Sequence, residues 1–413
     1  MFTILNNNDA IYQNILLGGL ELIKGISYLF NNSFYIKIWC MNSLLNKTFF
    51  LIIFLSSQFI KSYEFNIRQV GDTFDDPWSL AFIDEDKFLL SEMPGNLKVI
   101  SLDTGELIYS VKGVPQVLYD GQGGLSDVVL DPKFSENKKI YFSYSAEDAK
   151  EGQLVDDLFS PSNTLFVASA FLVGDTLKDL KIIFKAKAYR TAPAHYGGKI
   201  AFLSDGTLII TSGDGYNNKE DAQFLDNHFG KIIRINPDGS VPSDNPFVDQ
   251  DNALPEIYSY GHRNMQGLVI SNDVIYENEH GPKGGDEFNI VEPGKNYGWP
   301  AICYCVDYSG AQITPFTEME GMEQPLTYWR PSIAPSGMML YSGKKFKEWK
   351  DSFFISALSG KILSRLTLNN GKVEEEILLK DFNERLRNVY ETPSGNILLL
   401  TDGPGGKIFE LSP

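Results

Sequence analysis

The sequence predicts an all-β fold, a six-bladed β-propeller, and three observations carry that prediction. Beyond Tyr63, short apolar runs alternate with Asp/Ser/Gly turns, and almost no helical periodicity is present. A strand–turn–strand pattern recurs at intervals of roughly 50 to 70 residues, the period of radial blades. No linker-like stretch divides the chain, which argues against a long sandwich or two stacked β-domains.

The copies run in order. The first is Trp78–Phe82, the turn Asp84–Asp86, Lys87–Leu90 and Leu97–Ile100. The second is Asp127–Leu130 and Ile140–Tyr144. The third is Lys199–Phe202, Thr207–Ile210 and Lys231–Ile235. The fourth is Gly267–Ile270, Val274–Tyr276 and Glu287–Ile290. The fifth is Met338–Tyr341, Ser352–Ser356 and Lys361–Leu366. The sixth is Val389–Thr392, Asn396–Leu400 and Lys407–Leu411. Glu64–Val70 is expected to complete the last blade and close the ring. The longest insertions are Ala146–Thr191, Asp214–Gly230, Gly239–Gly261 and Gly281–Ser336, expected as loops at one mouth of the channel, where sites are built.

Composition bounds the function. A net charge of −17 argues against nucleic acid and anionic lipid, because phosphate contacts reward basic surfaces. With 43% apolar and 13% aromatic residues, most of the chain should be globular.

The first 62 residues differ from the rest. Met41–Lys47 is weakly basic, Thr48–Leu55 apolar, and Ser56–Ser62 small and polar, which is the order of a secretory signal peptide. The apolar run is too short to span a membrane comfortably, although an uncleaved anchor is the alternative. We therefore expect a signal peptide over 41–62, cleavage between Ser56 and Tyr63, and a periplasmic or secreted protein without stable membrane insertion. Residues 1–40 fit no leader pattern, and the reading places the true start at Met41. The propeller is expected over 63–413.

Cys303 and Cys305 lack the second ligand pair of a zinc site. A Cys-x-Cys disulfide is one reading; two small buried residues is the plainer expectation. Nothing in the spacing of His195, His228, His262 and His280 marks a transition-metal site. No Gly-x-Ser-x-Gly, His-Glu-x-x-His or nucleotide loop is present.

Six segments stand out: Gly121–Leu125, His195–Lys199, Gly261–Gly267, Glu279–Glu287, Asn296–Pro300 and Asn383–Asn388. In their order the chain resembles, from Asp76 to Pro413, the soluble PQQ-dependent glucose and aldose sugar dehydrogenases, where PQQ is pyrroloquinoline quinone. The resemblance implies PQQ and calcium as cofactors, a small-molecule sugar as substrate, an external electron acceptor, and a monomer or dimer.

An imidazole suits removal of a sugar hydroxyl proton at neutral pH, and His195 is the candidate base. Several relatives place an Asp before this His; here the position is Ala194, so an orienting partner lies elsewhere or is absent. By resemblance, Arg263 stabilises charge on the quinone oxygen, Asn264 lies beside the cofactor, and Gln122 lies near sugar and quinone. Arg385 and Arg387, two apart and so on one face of a strand, would bind carboxylates of PQQ. A lysine of the family falls at Ser359 here, which leaves Lys361 as substitute. Gly281 and Pro282 would offer backbone carbonyls to calcium, and Glu287 with Tyr297 would mark a second calcium. The alternative to a second calcium is that Asp286 and Glu287 cap a turn. Two other functions compete with oxidation: a calcium-dependent lactone hydrolase, and a non-enzymatic propeller binding glycan or protein.

Overall fold

The computed structural model describes residues 65–148 and 162–413. The expected leader and upstream extension lie outside the described residues, and Phe65–Pro413 is one compact unit. Among the described residues no helix is long and apolar enough to cross a membrane.

Six four-stranded antiparallel sheets form the propeller. Blade 1 holds Pro77–Phe82, Lys87–Glu92, Asn96–Ser101 and Leu107–Ser110, and blade 2 holds Leu125–Leu130, Lys139–Glu147, Asn163–Val173 and Thr176–Lys185. Blade 3 holds Gly197–Phe202, Leu208–Ser212, Lys231–Ile235 and Ile257–Tyr260, and blade 4 holds Met265–Ser271, Val274–Glu279, Asp286–Val291 and Thr327–Trp329. Blade 5 holds Pro335–Leu340, Phe353–Ala357, Leu363–Asn369 and Lys372–Leu378. Blade 6 takes Leu386–Glu391, Ile397–Thr401 and Ile408–Ser412 from the C-terminus and its outermost strand, Asn66–Gln69, from the other end of the chain.

The second strands are largely buried because both faces of each blade pack on neighbours. Every residue of Leu208–Ser212 is buried, as is every residue of Ile397–Thr401. The core accordingly lies between blades. Leu89, Val99, Leu125 and Phe142 join blades 1 and 2, and Leu165, Val167, Ile210 and Ile233 join blades 2 and 3. Ile209 and Met265 join blades 3 and 4, Phe288 and Phe353 blades 4 and 5, and Leu90 and Leu398 blades 1 and 6. The innermost strands touch in sequence around the ring, the last against the first.

One expected loop is corrected. Within Ala146–Thr191 run Asn163–Val173 and Thr176–Lys185, the two outer strands of blade 2. Their turn, Val173-Gly-Asp-Thr176, lacks the length of the other inter-strand segments, and the long Asn163–Val173 strand carries the small residues Ala168, Ser169 and Ala170. Similarly, Gly239–Gly261 ends in the fourth strand of blade 3, and Gly281–Ser336 contains two strands of blade 4.

Asn66–Gln69 pairs along its whole length with Ile408–Ser412, reinforced by Arg68 Nη2 at 2.7 Å from Glu410 Oε2. A chain beginning at Asp72 would leave the 408–412 strand as an open edge. We expect it to melt roughly 5 °C or more below a chain beginning at Tyr63; equal melting temperatures would show that the closing strand does not hold blade 6.

Candidate active site

Each blade begins with an inner strand, and all six start at one rim of the channel. The residues just before or at these starts are Asp76, Gln122, His195, Arg263 with Asn264, Ala334, and Arg385 with Arg387. This common origin brings together motifs that lie far apart in the sequence. Asp76, Gln122, Asn264, Ala334, Arg385 and Arg387 line one cavity of about 350 Å³. Arg263 faces a neighbouring cavity of about 290 Å³ with Tyr216, Pro282, Trp299 and Tyr308.

His195 is held from four directions. Its backbone is left-handed, with φ of 51°, a conformation a non-glycine residue keeps only under constraint. Its N–H donates to Gln122 Oε1 at 2.9 Å, and its carbonyl accepts from Arg190 Nη1 at 2.7 Å. Gly213 packs so close that a Cβ there would lie 2.2 Å from the His195 carbonyl, which explains the glycine. On the ring, Nδ1 lies 2.7 Å from Asp214 Oδ1. The orienting acid that Ala194 does not provide is therefore Asp214, at the end of the second strand of blade 3.

Asp214 is itself saturated. Its Oδ2 accepts from Trp299 Nε1 at 2.8 Å, Oδ1 from the Tyr216 N–H at 2.9 Å, and its own N–H donates to the Arg263 carbonyl. Burial raises the Asp214 pKa, but hydrogen bonding and charge from His195, with Arg263, outweigh it and leave a carboxylate. With Asp214 ionised, Nδ1 carries the proton and Nε2 keeps a free lone pair. Burial lowers the His195 pKa; the Asp214 hydrogen bond opposes this, while Arg263 and Arg190 add to it. The imidazole is thus a neutral base at neutral pH.

Arg263 Nη1 donates to the carbonyls of His280 at 2.8 Å and Gly281 at 2.9 Å, and its guanidinium stacks 5.2 Å from the Trp299 ring. Its backbone N–H donates to Glu279 Oε2. Asn264 Oδ1 accepts from Gln266 Nε2 and the Gly197 N–H. The Gly281–Pro282 turn is fixed by Asp286, whose Oδ1 accepts the Gly281 N–H and whose Oδ2 accepts those of Ile333 and Ala334.

Arg385 and Arg387 share one partner, Asp402. Arg385 reaches Oδ2 with Nε and Nη2 at 2.9 and 2.8 Å, and Arg387 reaches Oδ1 with Nε at 2.9 Å. Burial raises the Asp402 pKa, and Arg387 and Arg385 more than offset it, so the trio carries net positive charge at the cavity wall. Lys361 is not brought to this wall: its Nζ donates to Asn383 Oδ1 at 2.9 Å, and Leu358 lines the cavity instead. Ser359 is exposed.

Glu287 lies opposite Glu279 in blade 4, and burial together with the Glu279 charge pushes its pKa up to about 8. The Tyr297 hydroxyl donates to the Ile290 carbonyl and accepts the Glu292 N–H, while its ring stacks on His262. Cys303 and Cys305 form a disulfide, not two free thiols, because the chain folds back to a Cα separation of 5.3 Å, within bonding range.

The sequence does not single out Asp214, Arg190, Gln266 and Asp402 as individual residues, and it offers His280 only as one of four histidines. Asp214 opens an insertion singled out there, and an acid placed directly after a strand end facing the candidate base is the signal that would have found it.

The family model described as Glucose / Sorbosone dehydrogenase matches residues 74–410. The chain belongs to that family. It is 37% identical over 363 residues to an aldose sugar dehydrogenase of Escherichia coli, covering 84% of this chain and 93% of that one. The solved apo structure of the soluble E. coli aldose sugar dehydrogenase superposes with a TM-score of 0.79 at 35% identity, over 85% of this chain and 100% of the other. The PQQ-bound form of aldose sugar dehydrogenase from Streptomyces coelicolor gives a TM-score of 0.68 at 25% identity, over 84% and 98%.

For this glucose/sorbosone dehydrogenase family member, the His195 environment is measurable directly. In an imidazole NMR titration its midpoint should fall below about 6.5, the ordinary histidine value. A midpoint above that value would mean that Asp214 outweighs burial and that the base is cationic at neutral pH.

Proposed function

We propose that the chain oxidises aldose sugars at C1 to the lactone, with PQQ and calcium bound, and passes the electrons to an external acceptor. The observation that carries this reading is a neutral, buried imidazole, oriented by Asp214 with Nε2 free, beside a cavity walled by paired arginines. The names of its relatives support sugar oxidation of the quinoprotein type.

The residues fit the cofactors. PQQ carries three carboxylates, and the 350 Å³ cavity offers Arg385 and Arg387 already aligned on Asp402. His280 Nε2 and Arg263 Nε are buried without a hydrogen-bond partner, donors or acceptors left for a bound molecule. Because Lys361 is turned to Asn383, the cationic share falls to the two arginines. The Gly281 carbonyl accepts from Arg263 Nη1 with one lone pair, which leaves its second lone pair, with the Pro282 carbonyl, for a hard cation. The second calcium is proposed at Glu287 with Tyr297, where a bound cation would favour the ionised carboxyl that burial and Glu279 disfavour.

When bound, PQQ supplies the quinone that accepts the hydride from C1, and calcium polarises its reacting carbonyl. The protein does the rest. His195 Nε2 takes the C1 hydroxyl proton, and Asp214 stabilises the imidazolium formed. Arg263, pinned by two carbonyls and the Trp299 ring, places fixed positive charge where negative charge develops. Gln122, bonded to the His195 N–H, holds the base in register. The sugar loses two protons and two electrons in becoming a lactone. Export follows from the leader proposed over 41–62.

His195→Ala should cut sugar-dependent dye reduction by about two to four orders of magnitude while leaving PQQ binding largely intact. Near-normal turnover would remove His195 as the base. Calcium and PQQ should bind cooperatively, each raising the other's affinity by the same factor. PQQ titrations in chelator, calcium and magnesium should give clearly weaker binding without calcium and poor rescue by magnesium, which demands a tighter octahedral shell. Equal affinities in all three would favour the lactone hydrolase or binding-protein reading.

A further inference from the structure

Joined to the Arg263 backbone through Glu279 lies a second polar cluster. His262 Nδ1 is 3.8 Å from Glu277 Oε1 and 3.7 Å from Glu279 Oε1, and all three donor atoms lie within 4.8 Å of one another. His262 and Glu277 are completely buried, and Glu279 is 3% exposed. Such separations are too long for hydrogen bonds, and His262 Nδ1 and Glu277 Oε2 have no hydrogen-bond partner. Among the described residues no Lys or Arg is ion-paired with Glu277, Glu279 or Glu287. Buried carboxylates without a cation are costly, and buried polar atoms without partners are rare.

The remaining bonds fix the orientation of the three side chains. His262 Nε2 lies 2.9 Å from Ser259 Oγ, and the ring stacks on Tyr297 with centroids 4.5 Å apart, so Nδ1 has one direction left. Glu277 Oε1 accepts from Asn289 Nδ2 at 2.8 Å. Glu279 gives Oε2 to the Arg263 N–H, which leaves Oε1 for the cluster. A ring nitrogen bonded on its far side and carboxylates held by neighbouring amides are the outer contacts that ordinarily orient metal ligands. An ion bonded at roughly 2.1 Å to the histidine nitrogen and to either carboxylate oxygen would subtend about 125 to 130°, wider than tetrahedral and close to trigonal.

We propose that His262, Glu277 and Glu279 bind a first-row divalent transition ion of the zinc class, with a structural role. The imidazole distinguishes this site from the oxygen-only calcium positions at Gly281–Pro282 and Glu287. Because Glu279 holds the Arg263 backbone with its other oxygen, the ion would tie the strand Val274–Glu279 to the start of the strand that carries the active-site arginine. The ligands lie 15 and 17 residues from the histidine, which is why their spacing in the sequence showed nothing.

The test is metal analysis of the full chain, produced in zinc-supplemented medium and dialysed natively against chelator. We expect about one first-row divalent ion per chain, retained because the donors are buried, and released when the protein is unfolded in chelator. Glu277→Gln keeps the size of the side chain and its contact with Asn289, and should lower the content at least tenfold, as should His262→Gln. Cobalt-grown protein should show visible ligand-field absorption, a readout that needs no variant to fold. Protein holding only calcium, or no stoichiometric metal, overturns the proposal. So does metal content unchanged in both variants, or a colourless cobalt-grown protein with cobalt bound.

Discussion

The ring must close, and it closes with a strand borrowed from the far end of the chain. Asn66–Gln69 completes blade 6 against Ile408–Ser412, so that strands from both ends of the propeller meet in one sheet. Closure fixes the order and spacing of the six inner strands, and every group at the rim inherits its position from them. The apolar core is distributed between blades, so no single blade can shift without disturbing two interfaces. The rim is therefore a rigid platform, suited to holding charged groups in strained arrangements.

Asp214 shows what that rigidity permits. One carboxylate receives His195 of the same blade and Trp299 from the long blade-4 segment, and its backbone is tied to Arg263. The partners come from different blades, so their geometry depends on the ring and not on local sequence. His195 sits in a left-handed conformation held by Gln122 of the blade-2 rim and by Arg190. Burial tends to keep the imidazole neutral, and the carboxylate fixes which nitrogen carries the proton. The two effects oppose one another in pKa but cooperate in chemistry, since a base must be both uncharged and correctly faced.

What was legible in the sequence follows the range of the interactions. Each inner strand announces itself through an apolar run and a turn, because those signals are local. Four of the six motifs were legible as segments because each occupies one position, the start of an inner strand, while Glu279–Glu287 and Asn296–Pro300 lie in the connections of blade 4. Asp214 and Asp402 were not, because an acid after a strand end looks like any turn residue until its partner is known. The outermost strand of blade 2 gives little strand signal because it packs on one face and carries a mixed pattern: Thr176–Lys185 exposes Lys178, Asp179 and Leu180. Lys361 shows the converse limit. Its type and neighbourhood suited an anion site, but a left-handed backbone sends the side chain to Asn383.

Arg263 joins the two halves of this chemistry. Its side chain faces the cavity side, where the carbonyls of His280 and Gly281 and the Trp299 ring hold it. Its backbone faces the acidic cluster, where Glu279 accepts its N–H. A carboxylate with one oxygen on that N–H cannot move without moving the arginine. The charge state of the cluster therefore bears on the active site through position and not only through field. Burial and the neighbouring Glu279 charge favour a proton on Glu277, whereas a cation held beside it favours the carboxylate and keeps Glu279 in place. The fold thus joins a cluster that needs positive charge to the backbone of the residue whose own positive charge must stay fixed.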